Sequence, residues 1–413
     1  MSQALCVNKS NPLYSPKGII MTEFRLATEA DTDAIRALWS YSFEKPGEPF
    51  FDWYFSKCYE PYHVILGTTN GNISCALHYR IRSLALRETT ILAGYLLGVT
   101  THPAARGRGL AKELLHFTLH NPMINFPLFL LMPSSATLYR HMGFGFCDHH
   151  WEREATPRDI APLAETPHRV MMISDAAEWP RLATLYHQCV RNVGASIKRN
   201  EQQWIFIMEE TLLEGHIAVV CDEKNPLGYL LYRIQGNRLT ASEFVYTSER
   251  GRRMLYGYLA AHAGQVETCR WYEPFFDSSY LYFANGAEHT YIQNRPFPFL
   301  MARLKDPESA FSGIPVDWPE TDSVTLTLED PFLPEMAGNY RLSVENGKTS
   351  MKKMRGKKTD FTIDAEGAVQ LLFGTVSPEE LIRTEKIRGA KRNATDFLSY
   401  FFPKENIWIN EWF

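Results

Sequence analysis

The sequence predicts a mixed α/β (α+β) fold in three consecutive units, on three observations. Alternating apolar segments between residues 22 and 150 lead into a glycine-rich strand-to-helix turn. A similar succession of segments recurs between residues 151 and 303. Beyond about Arg303 the pattern changes to short alternating strands and a proline-capped helix, which sets residues 304–413 apart. With 413 residues, 45% of them hydrophobic, the chain is long enough for two or three packed cores. Residues 1–21 hold no continuous apolar run and read as an N-terminal tail.

In the first unit, residues 62–66, a turn at Thr69-Asn70-Gly71-Asn72, and residues 73–81 and 91–100 read as a strand meander, because Asn-Gly suits a tight hairpin. Val99-Thr100-Thr101 then runs into His102-Pro103-Ala104-Ala105-Arg106-Gly107-Arg108-Gly109-Leu110-Ala111-Lys112. Arg106 to Ala111 fits the spacing R-x-x-G-x-A. Small residues there let backbone N–H groups approach a pyrophosphate while a helix N-terminus adds partial positive charge. The ligand implied is coenzyme A. No Gly-Lys-Ser/Thr follows, so the turn is not a Walker loop, and the G-x-G-x-x-G spacing of dinucleotide-binding folds is absent. Further on, Pro127-Leu128-Phe129-Leu130-Leu131-Met132 reads as a buried strand, and residues 134–144 as a serine-capped helix closed by Gly143.

The second unit echoes the first. Residues 217–221, a turn at 223–226, and strands at 227–234 and 239–246 precede Arg250-Gly251-Arg252-Arg253-Met254-Leu255. Aligned on the first turn, Arg253 stands where Gly109 stands and Leu255 where Ala111 stands. A side chain at the glycine position would fill the space a pyrophosphate needs, so one active site per chain is expected. In the third unit, residues 306–320 are rich in proline and acidic residues and read as a linker. Residues 324–328, 339–344, 361–364 and 368–373 alternate as strands, with Asn346-Gly347 as a hairpin turn. Ser377-Pro378 opens a helix, serine at the N-cap and proline at the first position.

Strand, phosphate turn, helix, strand, and a helix ending in Tyr139-Arg140-His141-Met142-Gly143-Phe144 resemble the acetyl-CoA half of the Gcn5-related N-acetyltransferase (GNAT) fold. The order of an intact GNAT unit, a degenerate one, a sterol-carrier-protein-like unit and a terminal Trp412-Phe413 resembles the enhanced intracellular survival (Eis) family. That resemblance implies an acetyl-CoA-dependent N-acetyltransferase with amine acceptors such as aminoglycosides, polyamines or lysine side chains, assembled as a homo-hexamer, a trimer of dimers. It further implies that Val99, Thr100 and Thr101 meet the pantetheine arm. Arg106, Gly107, Arg108, Gly109, Leu110, Ala111 and Lys112 would hold the pyrophosphate, and Ser134 and Ser135 would line the thiol end.

Attack on a thioester needs a neutral amine, hence a base, and the departing thiolate gains from an acid. The strand before the phosphate turn, residues 93–100, carries no carboxylate. The resemblance assigns the base to the α-carboxylate of the last residue, Phe413, and the acid to Tyr139, whose phenol with an ordinary pKa near 10 stays protonated at neutral pH. Phe43, Glu44 and Glu411 are the candidate acceptor-binding residues, since carboxylates and aromatic faces attract a cationic amine.

The net charge of −4 argues against a nucleic-acid partner. Seven cysteines without a C-x-x-C pair suit a reducing compartment, the cytoplasm, and no uncharged run is long enough to cross a bilayer. His116 and His120 have the i, i+4 spacing of a metal pair, but no evident third ligand accompanies them, so no metal is expected. The basic run from Lys348 reads as a charged hairpin. The alternative reading is a lipid or acyl-CoA binding protein whose GNAT copies are scaffolds, and it requires a lipid-sized apolar tunnel in the third unit.

Overall fold

The structure, a computed structural model, describes residues 22–283, 292–356 and 358–412. The N-terminal tail and Phe413 lie outside the described residues. The first unit contains β1 (Thr22–Leu26), α1 (Thr32–Ser42), α2 (Pro49–Trp53), β2 (Val64–Thr69), β3 (Asn72–Leu86), β4 (Thr89–Thr101), α3 (Leu110–His120), β5 (Leu128–Leu131), α4 (Ala136–Arg140) and β6 (Gly145–Ala155). The second contains α5 (Pro157–Ile160), β7 (Arg169–Ile173), α6 (Trp179–Cys189), β8 (Ala195–Lys198), α7 (Glu201–Glu214), β9 (His216–Asp222), β10 (Asn225–Gln235), β11 (Arg238–Tyr246), α8 (Glu249–Ala260), β12 (Thr268–Pro274) and β13 (Gln293–Leu304). The third runs through α9 (Pro307–Phe311), β14 (Asp322–Glu329), β15 (Gly338–Glu345), β16 (Lys348–Lys353), β17 (Phe361–Asp364), α10 (Ala365–Phe373), α11 (Pro378–Arg383), β18 (Ile387–Arg388) and α12 (Arg392–Phe401).

The first two units share one sheet, with strand order β1-β2-β3-β4-β5-β13-β6-β12-β11-β10-β9-β7 and β8 paired to the far end of β3. They exchange strands. β13, late in the second unit, lies between β5 and β6 of the first, and β6 in turn lies between β13 and β12. The boundaries expected at residues 150 and 303 therefore fall inside β6 and β13. Hydrophobic periodicity marks where strands are, and carries no information on which sheet edge they join.

Local chemistry sets the connections. Asn70 and Gly71 both adopt positive φ in the β2–β3 turn, the conformation a two-residue hairpin requires, and Asn346-Gly347 does the same between β15 and β16. In the third unit the sheet order is β16-β15-β14-β17-β18. Two expectations fail there. Residues 368–373, read as a strand, belong to α10: Asp364 accepts from the Gly367 N–H at 2.6 Å as N-cap, and Gly374 closes the helix at φ +71°. Its apolar run is buried nearly all round, which hides helical periodicity. Residues 306–320 are not a bare linker, because Asp306 caps α9 and Pro307, Ala310 and Phe311 are buried.

The last described residues thread the interior. Gly194 N–H donates to Asn406 O at 2.7 Å, Trp408 N–H to Ala195 O at 3.0 Å, and Ile409 N–H to Asp148 Oδ2 at 2.8 Å. Trp408, Ile409 and Asn410 are buried, and the Trp412 ring packs 4.5 Å from Phe299 and 4.6 Å from Tyr272. Buried Arg87 fastens the third unit to the first by donating to Leu372 O and Pro403 O and pairing with Glu405 at 2.9 Å. Among the described residues no helix is long and apolar enough to cross a membrane.

Candidate active site

β4 and β5 run parallel only from Ala93–Leu128 to Leu96–Leu131, after which β4 continues to Thr101 paired with β3 and without β5. The strands part there and leave a fork. Gly98, at φ +57°, bends β4 at this point, and a Cβ on it would stand 2.6 Å from the Trp39 ring. Only glycine fits.

Two cavities open from the fork. One, of about 480 Å³, follows the glycine-rich turn and is lined by Val99, Thr100, Thr101, Arg106, Gly107, Gly109, Leu110, Ala111, Lys112 and Ser134. Gly107 and Gly109 have φ of +74° and +80°, and a Cβ on either would meet nothing within 4 Å. Their need for glycine is therefore conformational, and the space before them is open to a ligand. Gly109 is the N-cap of α3, whose first amides point into the turn. Arg106 Nε is tied to Thr101 O and Arg108 to Ala104 O, each at 3.1 Å. Two expected members depart: Arg108 does not line this cavity, and exposed Ser135 precedes α4 without making a capping bond. The helix expected from Ser134 is only the short α4, because Arg140 leads straight into the turn closed by Gly143 at φ +78°.

The second cavity, of about 570 Å³, is walled by Trp39, Phe43, Glu44, Phe50, Tyr95 and Tyr139, and also by Glu210, Glu214 and Arg233. Phe43, Val99, Ser134 and Tyr139 line both cavities, so the phenol sits where they meet. Burial raises the Tyr139 pKa. Glu44 accepts from Trp39 Nε1 at 3.0 Å, and Ser42 and Thr100 share a hydroxyl hydrogen bond at 2.5 Å.

Glu411 departs from its expected place. It does not line the cavity of Phe43 and Glu44: its carboxylate is buried between Arg82, which donates to it, and Arg199 at 3.8 Å. Its charge is thus already matched. Its carbonyl oxygen, in contrast, accepts from Tyr95 at 3.2 Å, so residue 411 reaches the wall of the second cavity.

Glu210, Glu214 and Arg233 were not foreseen. They sit on α7 and β10 of the second unit, and the shared sheet, the Trp53–Glu209 hydrogen bond at 2.9 Å, the Gln203 bond to Ile81 O at 3.3 Å and the Trp53–Phe206 ring contact bring them to the first. No motif marks them. Burial raises the Glu210 pKa, with Arg233 opposing at 3.5 Å.

The second unit has a matching fork beyond Ala241 and Trp271, where β11 and β12 part. It is occupied by its own side chains. Glu273 accepts from Tyr256 at 2.9 Å and from Trp271 at 2.8 Å and lies 3.1 Å from Arg153. Asp277 pairs with Arg153 at 2.7 Å and lies 3.7 Å from Arg252. The turn differs too, and not through Arg253 as expected. α8 begins at Glu249, directly after Ser248, which caps Gly251 N–H at 3.1 Å, and Gly251 is a packing glycine whose Cβ would meet Leu227 O at 2.5 Å. His116 and His120 stack at 3.9 Å, and His120 pairs with Glu335 at 2.6 Å.

Residues 23–147 match the acetyltransferase (GNAT) domain, residues 195–304 match a second acetyltransferase (GNAT) domain, and residues 307–410 match the sterol carrier protein domain. No curated protein matches the chain. Among solved structures it is similar to a conserved protein of unknown function from Enterococcus faecalis V583, a probable N-acyltransferase, and to a GCN5-related N-acetyltransferase from Anabaena variabilis ATCC 29413. Each is 18% identical with a TM-score of 0.79, over 95% of this chain and 100% of that one. It is also similar to Eis1 from Mycobacterium abscessus, 17% identical with a TM-score of 0.72 over 95% of this chain and 100% of the other. The chain belongs to the GNAT acetyltransferases and has an Eis-like architecture, two GNAT domains followed by a sterol carrier protein domain.

Proposed function

We propose that this enzyme transfers the acetyl group of acetyl-CoA to a primary amine by direct attack on the thioester, in the first GNAT domain. The observation that carries the reading is the position of Tyr139, the residue at which the cavity along the phosphate turn meets the carboxylate-lined cavity. Acetyl-CoA fits the first of these. The open space before Gly107 and Gly109, the α3 N-terminus and the cations of Arg106 and Lys112 suit a diphosphate. Past the fork the side of Val99 and Thr100 that β5 has left is free of a strand partner and faces the pantetheine, and Ser134 borders the thiol end.

The acceptor amine enters the second cavity. Glu44, Glu48, Glu210 and Glu214 face one guanidinium there, so the wall favours a cation, and Trp39, Phe43 and Phe50 give it aromatic faces. The Tyr139 phenol, held protonated by burial, donates its proton to the leaving sulfur. The α-carboxylate of Phe413 takes the proton from the attacking nitrogen, and the buried path of residues 407–411 to Tyr95 supports that role. The filled fork in the second GNAT domain supports one coenzyme A site per chain.

Among the described residues, the core of the third unit gives the lipid-carrier alternative little room. The apolar interior between α10 and the third unit's sheet, lined by Leu326, Leu342, Phe361 and Leu371, encloses about 10 Å³, room for roughly one water. Thiol release from acetyl-CoA, screened over polyamines, aminoglycosides and lysine peptides, tests the reading. Release with at least one amine class is expected, and none with any would sink it. Assembly as a cytoplasmic homo-hexamer completes the proposal, and light scattering checks the assembly state.

A further inference from the structure

The acceptor cavity is not the end of the space on that side. A further cavity of about 700 Å³ lies between β10, β11, β12 and Trp412, and it shares two lining residues with the acceptor cavity, Glu210 and Arg233. These two are each other's partner, Arg233 Nη2 to Glu210 Oε1 at 3.5 Å, with side chains 38% and 26% exposed. So long a contact between partly exposed groups is weak and screened. A single loose ion pair therefore stands between two spaces, each large enough for a small ligand.

The chemistry of the further cavity is unlike that of the acceptor cavity. Of its other guanidiniums, Arg199 is matched by Glu243 and Arg270 by Glu154, each at 2.6 Å, while Arg238, 3.6 Å from Glu154, is held as loosely as Arg233. Beyond these charges a ligand meets neutral hydrogen-bonding groups, Gln235, Asn237 and the oxygen of Ser242, whose hydroxyl donates to Leu231 O at 3.3 Å, with the Tyr272 and Trp412 rings. Beyond Glu210 at the partition, a second ammonium group would meet only carboxylates already paired, Glu243 with Arg199 and Glu411 with Arg82. A polar uncharged chain would find donors, acceptors and aromatic faces.

We propose that Glu210 and Arg233 form a movable partition within one acceptor channel, and that the enzyme acetylates primary amines whose long, uncharged, hydrogen-bonding tail passes the partition into the further cavity. This rests on the amine acetyltransferase reading above and adds to it the shape and chemistry of the acceptor. Arg233 swings on its flexible stem while the amine end stays beside Tyr139.

The test compares kcat/KM for a short amine, methoxyethylamine, with that for a long oligo(ethylene glycol) amine, and with the tetraamine spermine, using the full chain and thiol release. Arg233→Ala removes one half of the partition, and Ser242→Trp fills the further cavity. The long-to-short ratio should rise about 5-fold in Arg233→Ala and fall about 10-fold in Ser242→Trp, mainly through KM. A ratio unchanged in Arg233→Ala, folded by its melting curve, would overturn the partition while thiol release with the short amine leaves the acetyltransferase reading standing. Spermine responding to both variants where the oligoether does not would overturn the uncharged tail. No release with any of the three would remove the acetyltransferase reading, and the partition with it.

Discussion

Tyr95, in the strand that walls the acceptor cavity, donates its hydroxyl hydrogen bond to the carbonyl of Glu411, 316 residues away in sequence and 3.2 Å away in space. Arg199 donates to the neighbouring Asn410 carbonyl, and Trp412 is wedged against Tyr272 and Phe299. The segment is held by main-chain hydrogen bonds from Gly194 through Ile409, so its course does not depend on the final residue. Deleting Phe413 should therefore lower kcat by about 10²-fold or more, the range expected for a lost general base. Acetyl-CoA affinity and melting temperature should stay close to the parent. Adding a short Gly-Ser extension, which moves the carboxylate while keeping the ring, should cost a similar factor, and full turnover in both forms would exclude the terminal carboxylate.

Tyr139→Phe keeps the ring and its packing 5.7 Å from Phe144 but removes the proton donor. Because burial raises the phenol's pKa, the group remains protonated through neutral pH, and its loss is felt in turnover and not in cofactor binding. A fall in kcat of about 10²-fold with acetyl-CoA Kd within about 2-fold is expected. The discriminating measurement is steady-state kinetics alongside calorimetric binding of coenzyme A. A rate equal to the parent's would leave the sulfur without this acid.

The first half of the active site is local in sequence, and that is why it was legible. Val99 to Lys112 must hold together as strand, turn and helix, since the positive φ at Gly107 and Gly109 and the small residue at Ala111 are short-range requirements. The acceptor half is different. Glu210, Glu214 and Arg233 reach Phe43 and Glu44 through the shared sheet, the pairing of β8 with β3 and the contacts of α7 with Trp53, relationships between distant segments that alternation cannot encode. Residues 368–373 of α10 read as a strand for a third reason: a helix buried on nearly every side shows no polar stripe, and its caps at Asp364 and Gly374 are the better signal. Glu411 was placed by its nearness to the terminus, where burial among arginines decided otherwise.

Gly109→Ala puts a Cβ on a residue at φ +80°, where L side chains are strained, although no neighbouring atom stands in the way. The expected destabilisation is about 1–2 kcal/mol. The turn should relieve that strain by shifting its amides, which raises the acetyl-CoA Kd about 10-fold and leaves the acceptor side unaffected. Chemical denaturation and calorimetry together check this. An affinity as tight as the parent's would show that the turn amides do not grip the diphosphate.

His78 supplies a pH test of the wall behind the acceptor cavity. Its ring is buried beside Trp39, with Nδ1 2.8 Å from the Tyr54 hydroxyl, and burial, helped by the Arg80 charge, lowers its pKa to about 3. In the unfolded chain the ring titrates near 6.5. Between those values the unfolded state binds the extra proton, so folding free energy falls as pH falls, by at most about 1.4 kcal/mol per pH unit from this group. Nothing is lost above about pH 6.5, and the loss is complete near pH 3. From pH 7 to about 4.5 the His78 contribution should therefore amount to about 2–3 kcal/mol. His78→Gln, which keeps a hydrogen-bonding group toward Tyr54 but cannot titrate, should flatten the pH dependence of the urea midpoint by that amount. Parallel curves for parent and variant would mean that His78 is able to take up its proton without unfolding the wall.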